Sequence, residues 1–517
     1  MSDWTQGYVA DFEYTQGFYG DLAPDHLDLV CLVNSVMPPR RGDGFTYCEL
    51  GSGHGLTSTA LAAANPEGEF YAVDFNPAHT ARAADLAAEA GVGNVTFLED
   101  SFEVLAEKAD HLPQFDYITM HGVWSWVSPE LRAAIARFLS AKLRPGGLAY
   151  VSYNALPGWT GTIPVQYLLR RLAGEAPGRS DSRFVAAFNR VAQMADAGSP
   201  YLSENPIIPR IGKFVEGGDI AYLVHEYMTP YWAPQFHADV ARELSGAKLD
   251  FVGCGAMTNN FPDLMLNDEQ RELIGAVDDV SLRETMADYF NGTSFRGDVF
   301  ARGRRLMEPG ERDARLTALR VAPVVPRSLM QLEVEVPVGK ATLNEPVYGP
   351  ILDRLAEGPV TVGELLALPE LPEGTRVSPA EIAGLLVAIK AAMPMRDGPA
   401  VPGPVPLTLE LGRRVLRQST NRASAIVLPR LGTAMACPGH EAAILSLVAD
   451  LGTTDPRQLG EALWAPIAAR GEALIKDGER LVEPEENIAV LVDQARGILE
   501  SRLDIWRMHG ALPEGVA

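Results

Sequence analysis

The glycine-rich stretch at residues 45–55, FTYCELGSGHG, constrains the fold of this chain more than any other segment. A short apolar run ends at Glu49, glycines follow at positions 51, 53 and 55, and the helix-forming run LTSTALAAA comes next. This order predicts a strand, a tight turn and a helix. Glycine suits such a turn because it adopts positive φ and lets a ligand approach the main chain. The spacing is GxGxG and differs from the GxGxxG of dinucleotide-binding folds, so the loop alone does not identify its ligand.

Strand and helix signals alternate after this loop. Strands are predicted near residues 45–50, 69–75, 95–100, 115–121 and 148–154, with alanine-rich amphipathic helices between them. The alternation predicts an α/β fold with a doubly wound, Rossmann-like sheet. Because ligands of such sheets bind at the carboxyl ends of the strands, the residues that end each strand are the candidates for a site.

Acidic residues end the second and third predicted strands. Asp74, followed by Phe75, stands where a carboxylate can accept both hydroxyls of a cofactor ribose. Asp100 and Ser101 follow the third strand and suit an adenine amino group and ring nitrogen. Either aspartate would also suit a helix N-cap. Together with the glycine turn, the set predicts an S-adenosylmethionine (SAM) site that comprises Tyr14, Glu49, Gly51, Ser52, Gly53, Gly55, Asp74, Phe75, Asp100, Ser101 and His121.

The reacting end of the cofactor is expected beside the ends of the fourth and fifth strands, HGVWSWV and YVSYN. His121, Tyr153 and Glu226 are the candidate proton acceptors. Apolar walls are expected from Trp124, Trp126 and Trp159. The candidate catalytic residues are therefore His121, Trp124, Tyr153 and Glu226. No HExxH or other metal spacing occurs among the nine histidines, so no metal is predicted.

The motifs ELGSGHG, HGVWSWV, YVSYNALPGW, HEYMTPYW and FRGDVFARG together suggest a narrower family. They resemble bacterial class I methyltransferases that carry a methyltransferase regulatory domain, including the rickettsial-type protein-lysine methyltransferases. The resemblance runs from about residue 8 to residue 303. It implies a class I methyltransferase sheet that binds SAM, a helical insertion, a mostly helical C-terminal part, protein lysines as methyl acceptors, and a homodimer.

Composition shifts and the order of predicted elements divide the chain into five segments. Residues 1–156 form the SAM-binding core with an N-terminal helical cap, 157–235 a helical insertion or lid, and 236–306 the remainder of the core. Residues 307–420 form a linker and a winged-helix-like domain, and 421–517 a helical domain. Between the last two strands, NDEQRELIGAVDDVSLRETMADYF is predicted to be one helix, and VPLTLEL is predicted to be the strand that follows the three helices of the winged-helix-like segment.

The lid segment contains HEYMTPYW, for which two interpretations stay open. The residues His225, Glu226, Tyr227, Tyr231 and Trp232 could line an acceptor channel whose rings hold a cationic side chain. Alternatively, they form a buried hydrogen-bonded cluster that fastens the lid, which is the favoured interpretation for His225 and Glu226.

Charge and cysteine content exclude several classes of protein. A formal net charge of -23 argues against a broad phosphate-binding surface, so nucleic acid is not an expected partner. Cys31, Cys48, Cys254 and Cys437 lie far apart in apolar surroundings and are expected to be reduced and buried. Without a signal peptide or a membrane span in the pattern, we expect a cytoplasmic protein with no membrane insertion.

Three functions are compatible with these sequence features. The first is a protein-lysine methyltransferase. The second is a small-molecule N- or O-methyltransferase whose insertion covers a metabolite pocket. The third is a non-catalytic protein that senses SAM and contacts a partner. A nucleic-acid methyltransferase is disfavoured because the fourth strand ends in HGVW, where that chemistry uses an acidic residue or Asn followed by Pro-Pro-aromatic.

Overall fold

The computed structural model describes residues 17–42, 44–218, 220–336, 339–396, 406–418, 424–476 and 478–513. Its centre is a seven-stranded sheet, flanked in its first half by five helices. The helices are α1 (Pro24–Val33), α2 (Leu56–Ala64), α3 (Pro77–Glu89), α4 (Phe102–Glu107) and α5 (Pro129–Lys142). The strands are β1 (Phe45–Leu50), β2 (Gly68–Asp74), β3 (Val95–Glu99), β4 (Phe115–Met120), β5 (Leu143–Asn154), β6 (Leu249–Cys254) and β7 (Phe295–Arg302).

The strand order of this sheet is β3-β2-β1-β4-β5-β7-β6. The first five strands are parallel, whereas β7 runs antiparallel between β5 and β6. In β4 every residue is buried, as expected for a central strand covered by helices on both faces. The predicted α/β, Rossmann-like class I methyltransferase fold is confirmed, and the carboxyl ends of β1, β2, β3 and β4 meet along one edge.

The helical lid follows β5 and covers part of this edge. Its helices are α6 (Ile163–Glu175), α7 (Ser180–Asp196), α8 (Pro200–Ser203), α9 (Ile207–Gly217) and α10 (Ile220–Tyr227). They enclose an apolar core of their own, in which Trp159 and Trp232 lie with ring centroids 5.3 Å apart. The lid returns to the sheet where the backbone N–H of Gln235 donates to the carbonyl of Asn154.

Helix α11 (His237–Ser245) connects the lid to β6. Three helices lie between β6 and β7, namely α12 (Pro262–Met265), α13 (Asp268–Gly275) and α14 (Val280–Asn291). The prediction of one helix over residues 267–290 is wrong, because two helices occupy this segment. Asp279 interrupts the helical segment because it is the N-cap of α14. Its carboxylate accepts hydrogen bonds from the backbone N–H groups of Ser281 and Leu282.

The C-terminal part begins with α15 (Pro309–Ala318), β8 (Arg320–Pro323) and the hairpin of β9 (Glu333–Val336) and β10 (Gly339–Thr342). There follow α16 (Glu345–Ala356), β11 (Val360–Thr361), α17 (Val362–Leu366), α18 (Pro379–Ala388), β12 (Ala392–Met395) and α19 (Pro406–Gln418). The strand predicted for VPLTLEL is therefore wrong. Leu407 and Leu411 are buried at a helical spacing, and this face of α19 packs against the helix that comes after the next hairpin.

The remaining elements are β13 (Ser424–Leu428), β14 (Thr433–Cys437), α20 (Gly439–Leu451), α21 (Pro456–Ala469), β15 (Ile475–Lys476), β16 (Glu479–Arg480) and α22 (Pro484–Met508). The β13–β14 hairpin packs on α2, the helix that follows the glycine turn. The side-chain amide of Asn65, which follows α2, donates to the carbonyl of Gly432 at 2.9 Å. The C-terminal part thus supports the back of the core. The division into five segments, with its winged-helix-like unit, stays a proposal.

The four cysteines are buried and unpaired, as predicted. Within the described residues, no helix is both long and apolar enough to cross a membrane.

Candidate functional site

The glycine turn after β1 lies at the bottom of a cavity at the carboxyl edge of the sheet. Gly51, Gly53 and Gly55 have φ of 74°, 54° and 70°, where residues with a side chain are strained. A Cβ on Gly51 would lie 2.4 Å from the Cγ2 atom of Val123, so the turn also excludes a side chain sterically. A Cβ on Gly55 would lie 2.6 Å from that of Ala83, behind the cavity.

Asp74 ends β2 and lies beside this turn. Its Oδ2 accepts from the backbone N–H of Gly53 at 2.9 Å, and its Oδ1 accepts from that of Asn76 at 2.9 Å. The Nδ1 atom of His79 lies 3.3 Å from Oδ1. The carboxylate therefore holds the glycine turn in place while it lines the cavity.

Asp74 and Asp100 do not act as helix N-caps, the alternative role that the sequence left open for them. Asn76 caps α3 with its side chain, and Ser101 caps α4. Neither aspartate caps the helix that follows it. Asp100 is partly buried in the cavity wall, with the Nζ of Lys108 at 3.4 Å.

Glu49 is a buried carboxyl group under the glycine turn. It accepts a hydrogen bond from the hydroxyl of Ser58 and also lines the cavity. Burial raises the pKa of this carboxyl to about 7, and nearby Asp74 acts in the same direction.

An aromatic pair closes one side of the cavity. The rings of Tyr19 and His121 stack with centroids 3.9 Å apart. Burial lowers the pKa of His121 to about 4, so its imidazole is neutral at physiological pH. Its Nδ1 is buried and has no hydrogen-bond partner among the described residues.

Four residues of the lid reach the same cavity. They are Tyr222, His225, Glu226 and Tyr231. Glu226 is buried, and its Oε1 accepts from the side-chain amide of Asn154, the last residue of β5, at 2.9 Å. Burial raises the pKa of Glu226 to about 7. A second carboxyl group that changes its charge near neutral pH is therefore present at the lid end of the cavity.

The cavity brings together most of the residues that the sequence singled out. They are Glu49, Gly51, Ser52, Gly53, Asp74, Phe75, Asp100, Ser101, His121 and Glu226. Gly55 turns the chain behind the cavity, and Tyr14 lies outside the described residues. The aromatic residue that lines the cavity from the described part of the N-terminal segment is Tyr19.

Two tryptophans expected in the cavity wall lie elsewhere. Trp124 is completely buried in the core beneath the sheet edge, and it does not line the cavity. Trp126, which was also expected in the wall, does line the cavity, because the tight helical turn at Trp124–Trp126 directs the two rings differently. Trp159 is also absent from the wall, since it packs in the core of the lid and donates its Nε1–H to the carbonyl of Ser294.

The expected role of Tyr153 as a proton acceptor does not fit its position. Its hydroxyl donates to Oδ2 of Asp298 at 2.6 Å and lies 3.2 Å from Nδ1 of His237. The ring is completely buried and does not line the cavity. Although burial opposes ionisation of Asp298, Arg296 and His237 hold the pKa of this carboxyl well below its usual range. Tyr153 therefore belongs to a buried ionic network.

We predict that Tyr153→Phe destabilises the protein and leaves turnover unchanged. Removing the hydroxyl deletes a hydrogen bond to a buried carboxylate, which costs about 1–3 kcal/mol of the free energy of unfolding. Urea denaturation and methyl-transfer rates of the two proteins measure the two effects. Lost turnover at unchanged stability would instead place the hydroxyl in the chemistry.

Several cavity residues were not among the predicted site residues. His54 and His79 both line the cavity, with ring centroids 4.7 Å apart, and Val123 and Tyr222 are also part of its wall. The position of His54 inside the glycine turn is a signal that could have been used. The helical spacing of Tyr222 and Glu226, four residues apart on α10, is another.

The cavity residues fit SAM. Within the described residues, no lysine or arginine lines the cavity, whereas four carboxyl groups do, from Glu49, Asp74, Asp100 and Glu226. A sulfonium cation with an ammonium group suits such a wall. A Cβ on Gly53 would meet no protein atom within 4 Å, so the main chain there is open to a ligand.

Comparison with known proteins identifies the family. The profile described as a methyltransferase domain matches residues 48–149, and that described as a predicted methyltransferase regulatory domain matches residues 219–302. A Synechocystis sp. protein, "Uncharacterized protein sll1526", is 34% identical over 510 residues, which cover 98% of this chain and 99% of that protein. "Uncharacterized protein RP789" of Rickettsia prowazekii is 24% identical over 286 residues, 54% of this chain and 49% of that protein.

The fold matches a solved structure from end to end. PKMT2 from Rickettsia typhi, in complex with AdoHcy, superimposes with a TM-score of 0.70 at 18% identity, covering 98% of this chain and 100% of that one. The match to the methyltransferase-domain profile confirms the prediction of SAM as the cofactor. The chain belongs to the class I SAM-dependent methyltransferases that carry a methyltransferase regulatory domain.

Proposed function

We propose that this methyltransferase transfers the methyl group to the ε-amine of a lysine in a protein. The observation that carries the proposal is the lid end of the cavity, where the buried carboxyl of Glu226 lies with Tyr222 and Tyr231. A carboxyl group and aromatic rings are the side chains that attract an ammonium group. Within the described wall, no lysine or arginine is present to repel it.

The obstacle to methylating lysine is its proton. An unperturbed lysine has a pKa of about 10.4, so about one amine in a thousand is neutral near pH 7.4. The bound SAM supplies an electrophilic methyl group, and the protein has to orient the amine, exclude water and remove the proton. Glu226, with its pKa of about 7, is the group best suited to take the proton, because its carboxylate is both available and basic at neutral pH. His121 is a weaker base and is better suited to the wall.

Two further observations support this acceptor. The sequence motifs resemble those of rickettsial-type protein-lysine methyltransferases, and the fold follows that of PKMT2 over the whole chain. A homodimer, which the same resemblance implies, is also a proposal, and sedimentation of the purified protein measures it.

Incubation of the purified protein with methyl-labelled SAM and a cell extract tests the proposal. We expect label in the protein fraction. Label confined to the low-mass fraction would favour a small-molecule acceptor, and no label would favour a SAM-sensing protein. An Asp74→Ala variant, which is expected to lose SAM binding, controls for chemical labelling that needs no enzyme.

A further inference from the structure

The segment from α13 to the start of β7 exposes several large apolar side chains. Its exposed large side chains include Leu282 on α14 (44% exposed), Tyr289 on α14 (61%) and Phe295 at the start of β7 (45%). Leu282 and Tyr289 are seven residues apart and so project from the same side of α14. Together with Leu273 and Phe290, which are also exposed, these residues are called the apolar face below. Clusters of exposed large apolar side chains are a feature of interaction sites.

One member of the apolar face, Phe295, lies beside the cavity wall. The ring of Phe295 meets that of His121 edge to face at 5.7 Å, and His121 lines the cavity. The loop after α14 is held at the carboxyl edge of the sheet, because the carbonyl of Thr293 accepts from the backbone N–H of Gly158. Tyr289 stacks on Phe236, which follows the lid, with ring centroids 5.9 Å apart. A chain lying on this face would therefore reach the cavity.

A buried ionic network holds the apolar face rigidly. The guanidinium of Arg296 on β7 donates to Glu284 at 2.8 Å and to Asp288 at 2.9 Å, both on α14. It also donates to Asp298 at 2.9 Å, the carboxylate to which Tyr153 is bonded. Because α14 is anchored to the sheet in this way, the face is formed before any partner binds.

The charge around the face selects the kind of partner. Residues 268–291 contain seven carboxylates and two arginines. Glu284 and Asp288 are paired with Arg296, so the other five carboxylates form the acidic excess over the two arginines. A cationic partner is attracted by this excess, and the same excess disfavours a second copy of this chain. A two-fold contact would bring the same acidic patch of each copy together.

We propose that the apolar face docks a basic polypeptide segment, the chain that carries the methyl-accepting lysine. The proposal rests on the proposed function and extends it by naming the substrate class. Apolar side chains of the segment pack on Leu282, Tyr289 and Phe290, its flanking lysines and arginines lie near the carboxylates of α13 and α14, and the target lysine passes Phe295 into the cavity.

The test uses a fluorescein-labelled peptide that alternates lysine, arginine and leucine, and a minimal acceptor, Nα-acetyl-lysine N-methylamide. In the full-length protein, the double substitution Leu282→Ser and Tyr289→Ser removes exposed apolar groups. We expect the Kd of the peptide to rise at least about tenfold, because exposed aromatic anchors contribute much of the binding free energy at such surfaces. Turnover of the minimal acceptor, which is too short to reach α14, should keep its wild-type rate.

A matched control removes exposed apolar side chains far from the cavity. Ile475→Ser and Val482→Ser lie in the β15–β16 hairpin region and are more exposed than Leu282 and Tyr289. This variant should bind and methylate the peptide as the wild type does. Unchanged peptide affinity in the Leu282, Tyr289 variant would overturn the proposal. So would a change in its sedimenting mass without a change in peptide affinity, since the face would then be a contact between copies.

The docking proposal and the lysine proposal fail in different ways. If the wild-type protein methylates neither probe but binds the peptide, and the Leu282, Tyr289 variant binds it weakly, the docking face stands and lysine as acceptor falls. If the wild-type protein methylates the minimal acceptor but does not bind the peptide, lysine stands and the docking face falls.

Discussion

Replacing Asp74 with alanine is expected to raise the Kd of SAM at least about a hundredfold, because two hydrogen bonds from ribose hydroxyls to a carboxylate contribute about 1.5–3 kcal/mol each. The substitution also removes the acceptor of the backbone N–H of Gly53, which holds the glycine turn at 2.9 Å. Isothermal titration with S-adenosylhomocysteine measures the loss directly and needs no methyl acceptor.

Asp85→Ala is the matched control for this substitution. Asp85 is an exposed carboxylate on α3, on the helix that follows Asp74. Its removal changes the net charge equally but should leave the affinity unchanged. Wild-type affinity in the Asp74→Ala protein would mean that the cofactor does not contact the end of β2, and the site would have to be rebuilt.

Glu226→Gln is expected to lower kcat by about 10²–10⁴-fold, the usual contribution of a positioned general base. The amide keeps the shape and can still accept from Asn154, so SAM affinity should not change. As a proton acceptor the carboxyl has to be ionised. Since burial raises its pKa to about 7, wild-type kcat should rise with pH through about 7, and the variant should lack this rise. Glu216→Gln, on the exposed surface of α9 in the same lid, should behave as the wild type does.

The pH dependence of protein stability gives an independent measure of the pKa of the Glu226 carboxyl group. Its pKa in the folded protein, about 7, lies above its ordinary value of 4.5. The favourable contribution of Glu226 to the free energy of unfolding is therefore complete below about pH 4.5 and is lost as the pH rises through 7. At pH 8 the Glu226→Gln protein should be more stable than the wild type by up to about 3 kcal/mol, and near pH 4.5 the two should be equal. If kcat and stability of the Glu226→Gln protein depended on pH as they do in the wild type, Glu226 would not be the proton acceptor.

The cofactor half of the site follows from the order of strands and turns. Once the alternation predicts parallel strands, their carboxyl ends must meet, and this brings Gly53, Asp74 and Asp100 to one cavity without further information. The type of residue and its place in the chain are enough to predict this half of the site, because each group stands at or shortly after the carboxyl end of β1, β2 or β3.

The acceptor half depends on which way individual side chains point. Neighbouring residues of a strand face opposite sides, so Asn154 meets the lid while Tyr153 joins the buried network with Asp298, and the sequence does not distinguish them. The side chains of Trp124 and Trp126 also point in different directions, since Trp124 is buried in the core and Trp126 lines the cavity.

The two incorrect element predictions have a related cause. In VPLTLEL, the leucines alternate as in a strand and also repeat at a helical spacing, and packing against α20 selects the helix. In the segment before β7, the cap formed by Asp279 divides a continuous helical pattern into α13 and α14. Long-range contacts in the first case and a single cap in the second decide what the local pattern leaves open.

The most direct test of the central claim is the chemical identity of the methylated residue. Protein labelled in a cell extract by the purified enzyme and methyl-labelled SAM is hydrolysed in acid, and the amino acids are separated by chromatography. We predict that the label co-elutes with Nε-methylated lysine and is absent when the Asp74→Ala protein is used. Label that co-elutes with methylated arginine or histidine, or that is released as methanol by mild base, would contradict lysine as the acceptor.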